Sequence, residues 1–91
     1  MKQIIFSCHA WDQLKDRGAS EEEVIRAIRE GEIAPANKGR MAFRKNFTFD
    51  SKWKGKHYGI KQVMPVVIEE DRQWVVITVY VFYFGGEINE D

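Results

Sequence analysis

Trp74-Val75-Val76-Ile77-Thr78-Val79-Tyr80-Val81-Phe82-Tyr83-Phe84 is the most apolar stretch of the chain, and its reading decides the fold. Val75, Ile77, Val79 and Val81 fall on one face of an extended segment, and Trp74, Val76, Thr78, Tyr80, Phe82 and Phe84 on the other. Apolar character on both faces predicts a central strand over residues 74–84, with the aliphatic row packed against helices.

Working back from it, Glu69-Glu70-Asp71-Arg72-Gln73 reads as a turn, and 57–68 as a second strand that Pro65 pushes toward an edge or a bulge. Residues 52–56 read as a loop. In the strand predicted over 40–49, Met41, Phe43, Phe47 and Phe49 point inward, with Lys45 the exception, while Arg40, Arg44, Asn46 and Thr48 take the other face. Before Pro35 the apolar period changes to about 3.6 residues. Ser7 caps a helix over 8–17, with Phe6 and Trp11 placed for a hydrophobic staple and Gly18 at its end. Ser20-Glu21-Glu22-Glu23 is a capping box opening a helix over 21–31, with Glu22 and Arg26 spaced as an exposed pair. Residues 85–91 form a tail expected to fray. The fold expected is α+β: two N-terminal helices packed on one face of a small antiparallel β-sheet of three to four strands. The opposite face is the candidate working surface.

Composition agrees with one compact domain: 91 residues, 44% hydrophobic and 31% charged, with a formal net charge of zero. The single cysteine, Cys8, excludes an intramolecular disulfide, and with His9 and His57 it makes no zinc-ligand spacing, so neither metal nor cofactor is expected. Adjacent helical positions diverge by about 100°, which argues against a Cys8–His9 dyad and for a half-buried inert thiol. The opening residues are too short an apolar run for a signal peptide, and no stretch approaches the ~20 apolar residues of a membrane span. A cytoplasmic location is the default expectation.

The zero net charge conceals a division. Residues 37–61 hold Lys38, Arg40, Arg44, Lys45, Lys52, Lys54, Lys56 and Lys61 against Asp50 alone, a local charge of +7, which leaves −7 on the remainder. An acidic body with one basic strand face and loop would steer an anion to a single surface, whereas neutral overall charge excludes indiscriminate polyanion binding. Five of the twelve aromatic residues, Phe43, Phe47, Phe49, Trp53 and Tyr58, share this basic segment. Interleaved cations and rings suit RNA, and since the phenylalanines alternate inward, Trp53 and Tyr58 are the stacking candidates.

Two further groups carry chemistry. His9, in the first turn of the first helix, is a candidate general acid or base and lies beside the free N–H groups of the helix end. Its alternative is packing beside Phe6 and Trp11. Arg17 either snorkels to solvent or points its guanidinium toward a phosphate. Thr78 and Tyr80 share a strand face, where with Arg44 and Lys61 they could orient a phosphoryl oxygen; the alternative is that Thr and Tyr are simply good strand formers.

From Phe6-Ser7-Cys8-His9-Ala10-Trp11 through Arg17-Gly18 to the capped second helix, and again at Ile77-Thr78-Val79-Tyr80, the chain resembles the family called domain of unknown function 4258. That family is grouped with the barnase, EndoU, colicin and RelE-like fold of metal-independent toxin ribonucleases. The resemblance implies catalytic roles for His9, Arg17, Thr78 and Tyr80. It also implies an arginine four residues after the histidine, where this chain has Gln13. The function expected is RNA cleavage through the ribose 2′-OH to a 2′,3′-cyclic phosphate, with Arg40, Arg44, Lys45, Lys61 and Trp53 binding RNA. The alternative is a non-catalytic module that docks RNA or an acidic protein such as an antitoxin through the basic strand; a homodimer is a further expectation.

Overall fold

The computed structural model of the protein describes residues 2–37 and 39–85, so Lys38 and the expected tail beyond Gly85 lie outside the described residues. The elements are β1 (Gln3–Phe6), α1 (Cys8–Arg17), α2 (Glu21–Glu30), β2 (Glu32–Ala34), β3 (Met41–Trp53), β4 (Lys56–Glu69) and β5 (Gln73–Phe84). They build an α+β fold in which the sheet order is β1-β5-β4-β3-β2. Both helices lie on one sheet face, α1 against β5 and β1, α2 against β3 and β4.

The sheet exceeds the three to four antiparallel strands expected. Two short strands extend its edges: β2 pairs antiparallel with β3, and β1 pairs parallel with β5, which makes the sheet mixed. Parallel pairing follows from connectivity, because the chain crosses over through both helices and the β2–β4 strands before it returns beside β1.

Local chemistry sets the helices. The Ser7 side chain accepts from Ala10 N at the start of α1, and Gly18 closes it at φ 78°, in the left-handed region. Phe6 stacks on Trp11 with ring centroids 4.7 Å apart, forming the staple. The capping box of α2 is complete, with Ser20 and Glu23 bonding each other's backbone N–H. Arg26 pairs with Glu30 at 3.3 Å in place of the expected Glu22. The expected loop at 52–56 is a two-residue turn: Trp53 pairs with Lys56, and Lys54 and Gly55 both take positive φ, the pattern of a type I′ hairpin.

Ala10 and Leu14 of α1 and Val24 and Ile28 of α2 close on Phe43, Val63, Val67, Val76 and Val79 to make the core. The last strand meets this core differently from its simple alternation. Between the adjacent residues Val66 and Val67 the β5 partner jumps from Thr78 to Val76, leaving Ile77 as an extra residue. The bulge inverts the alternation. Before it, Trp74 and Val76 face the helices; after it, Val79 and Val81 do. The expected row of Val75, Ile77, Val79 and Val81 is therefore broken at Ile77.

Pro65 occupies a central strand instead of an edge, paired with Val79 immediately beside this bulge. On its other side the pairing of β3 with β4 runs from Ala42↔Val66 to Lys45↔Val63, and the missing N–H sits within that gap.

Candidate functional site

β1 pairs with β5 only as far as Phe6↔Val76, so the rest of the β5 edge has no strand beside it. Side chains of α1 take that place. Gln13 Oε1 accepts from Val79 N at 2.7 Å, and Arg17 Nη1 donates to Val79 O at 2.8 Å, which reproduces the two bonds of a β-ladder at one residue. Gln13 is 8% exposed and Val79 fully buried, so both backbone groups would otherwise lack partners.

Beyond Val79 the Arg17 guanidinium lies over the Tyr80 ring at 5.4 Å from its centroid. Tyr80 and Thr78 sit on the open sheet face, opposite the helices, where with Arg40, Ala42, Met64 and Asn37 they line a groove of about 170 Å³. His9, exposed, precedes Gln13 by one turn and Arg17 by two on the same stripe of α1. His9 falls on α1 between Ser7, whose N–H bonds Val76 O, and Gln13, which reaches Val79. Of the residues singled out from sequence, Thr78, Tyr80 and Arg40 thus line one groove, and Arg17 lies over the Tyr80 ring.

The other cations go elsewhere. Lys61 is 7% exposed on the helix face, where its Nζ donates to Gly18 O at 2.9 Å and pairs with Glu23 Oε1 at 2.9 Å. Lys45, also inward, pairs with Glu30 at 3.6 Å, and Arg44 pairs with Glu32 at 3.4 Å. The seven described cations of residues 37–61 do not form one basic face. Alternation sends Lys45 and Lys61 to the helix side, and acids of α2 neutralise both. Among the described residues, Arg40, Lys52, Lys54 and Lys56 form no ion pair.

The expected stacking residues are likewise consumed by packing. Trp53 stacks on Tyr83 at 4.9 Å, and Tyr58 tilts against the same ring at 5.6 Å. Tyr83 donates to Arg17 O at 2.7 Å, and burial, with Glu23 second, pushes its hydroxyl up to about 12. The exposed aromatic surface belongs to β5 instead: Tyr80, Phe82 and Phe84 are 42%, 44% and 40% exposed. Phe82 and Phe84 are visible in the sequence as the continuation of Thr78 and Tyr80 at two-residue spacing.

Cys8 is exposed rather than half-buried. Among the described residues no group of three or more His, Cys, Asp or Glu is placed to hold a metal ion, and no helix is long and apolar enough to cross a membrane. Comparison with protein-family models, with curated proteins and with solved structures gives no match to this chain.

Proposed function

We propose that the protein is RNA-directed, of the toxin ribonuclease type, and holds a single strand on the open sheet face beside the free edge of β5. The observation that carries this reading is the groove lined by Tyr80, Thr78 and Arg40, with the Arg17 guanidinium over the Tyr80 ring. One guanidinium N–H of Arg17 is given to Val79 O, and the others remain for a phosphate. Gln13 serves Val79 and brings no charge, so the positive charge here falls to Arg40, which lines the groove, and to Arg17 over the Tyr80 ring. The resemblance to domain of unknown function 4258 implies roles for His9, Arg17, Thr78 and Tyr80.

In the reaction proposed, the ribose 2′-oxygen attacks phosphorus as the bond to the 5′-oxygen breaks. The products are a 2′,3′-cyclic phosphate and a 5′-hydroxyl. His9 handles the proton, taking it from the 2′-OH or returning it to the leaving oxygen. Arg17 and Arg40 stabilise the charge on the phosphorane, while Thr78 and Tyr80 orient its oxygens. The expected setting is the cytoplasm.

Incubation of a mixed-sequence single-stranded RNA with the protein in EDTA tests this. Fragments ending in 2′,3′-cyclic phosphate are expected, with the rate falling about 10²–10⁴-fold in His9→Ala. No cleavage by the wild type, or equal cleavage by His9→Ala, ends the catalytic reading; salt-sensitive binding without cleavage would leave an RNA-binding module.

A second reading, the docking of an acidic protein such as an antitoxin or of a second copy of the chain, draws on a different observation. Edge strand β2 is three residues long and Ile33 in it is 68% exposed, a place where a partner strand could add. Capture of a protein partner without RNA affinity would favour it.

A further inference from the structure

β5 carries no charged residue from Gln73 to Phe84, although beyond Val76 its outer side is a sheet edge. A bare edge is a template for pairing, and proteins blunt such edges with charges or cover them. Here the cover is partial. β1 lies beside residues 73–76, and the side chains of Gln13 and Arg17 take both backbone groups of Val79. Because Val79 turns its N–H and C=O away from β4, alternation turns those of Val81 and Tyr83 the same way, where no strand lies beside them.

We propose that a second copy of the chain covers this edge, pairing β5 with β5 antiparallel about a two-fold axis at Phe82. The register follows from the limits of the free segment. Arg17 closes the edge at Val79, and the strand ends at Phe84, before Gly85 at φ 71°, so the segment open to pairing is Tyr80–Phe84 and its centre is Phe82. Two such segments laid antiparallel set Val81 of each copy opposite Tyr83 of the other, which makes four backbone hydrogen bonds. Phe82 meets its own counterpart, and Phe84 meets Tyr80. The three exposed rings of β5 thus become cross-strand aromatic pairs on the open sheet face. Since Tyr80 lines the groove, Phe84 of the second copy becomes a neighbour of that site. The pairing rests on the edge alone and does not require that the groove bind RNA.

The segment carries no charge to attract an acidic protein, whereas a two-fold contact requires only that the patch match itself. Size sets its strength. Each ring is 40–44% exposed, which leaves roughly 80 Å² of a ~200 Å² side chain to bury. With the backbone edge, the two copies bury about 800–1,000 Å² in all, less than the ~1,200 Å² of a stable complex, so the dimer is weak and exchanges with monomer.

Sedimentation velocity over about 10 µM to 1 mM protein tests the contact, and charge exchange tests the register. The wild type should pass from monomer toward dimer over this range. Phe82→Lys and Phe82→Glu each set like charges opposite one another, so each should stay monomeric alone and dimerise when the two are mixed. Position 82 is on the exposed sheet face, so both variants should fold, which far-UV circular dichroism checks. In a Cys8→Ser background, Phe82→Cys should form an intermolecular disulfide about 10-fold faster than Phe84→Cys or Ile33→Cys, since only position 82 opposes itself, at a Cα separation of about 4.5 Å. A wild type still monomeric at about 1 mM overturns the proposal, as does a mixture of folded charge variants that stays monomeric. Fastest crosslinking through Ile33→Cys overturns it in favour of the β2 edge.

Discussion

Gln13→Met removes one acceptor and almost no volume, and the structure gives its cost. Val79 is fully buried and its N–H has Gln13 Oε1 as partner at 2.7 Å, where the sheet supplies no strand because β1 ends its pairing at Val76. Stranding a buried amide donor costs about 1–3 kcal/mol, while a swap that conserves volume adds little. A loss of about 2 kcal/mol is expected from a domain whose whole stability is on the order of 5–15 kcal/mol. In thermal unfolding this is a fall of about 10 °C in Tm, and in urea a lower midpoint at unchanged slope. Amide exchange locates the effect, because the Val79 N–H should exchange far faster in the variant while Val63 and Val67 in the core follow global unfolding. Gln13→Arg, which installs the residue implied by the resembled family, also lacks an acceptor and should fall at least as far. Gln13→Glu keeps one and should lose less. A Gln13→Met protein within about 0.5 kcal/mol of the wild type would refute the reasoning, since ordinary surface changes cost no more than that.

Three other outcomes follow from single sites. Tyr83 titrates near 10 when unfolded and about 12 in the fold, so its contribution is full below pH 10 and lost as pH rises toward 12. Stability of the wild type should therefore decline over pH 10–12 in urea melts, and Tyr83→Phe should flatten that part of the decline. Gly18→Ala places a methyl group 2.5 Å from Tyr83 Oη and 2.6 Å from the Trp53 ring, at a backbone φ of 78°. It should lose more than the about 1–2 kcal/mol of left-handed strain alone, read by the same melts. Lys61→Met breaks the bonds to Gly18 O and Glu23 and should cost about 1.5–3 kcal/mol, yet leave RNA affinity unchanged because Nζ lies on the helix side.

What was legible in the sequence is what is decided locally. Ser7, Gly18, Ser20 and Glu23 fix helix ends by contacts within a few residues, and each end forms where its cap predicts. β1 and β2 escaped because strands of four and three residues carry too short an alternation, and their formation depends on partners far along the chain. The faces of β5 were reversed before Ile77 because a bulge is invisible to a period of two. The basic segment misled for a related reason. Charge counted along the chain takes no account of alternation, which buries Lys61 beside Glu23 and turns Lys45 to Glu30. Thr78 and Tyr80 lie after the bulge, where alternation again holds, and they reach the face expected of them.

The central claim is that RNA lies on the open face of the sheet at the groove beside β5. Amide chemical-shift mapping with an uncleavable 2′-O-methyl single strand tests it most directly. The account predicts the largest shifts at Arg40, Ala42, Met64, Thr78 and Tyr80. Shifts confined to the exposed surfaces of α1 and α2, or none at saturating RNA, would contradict it.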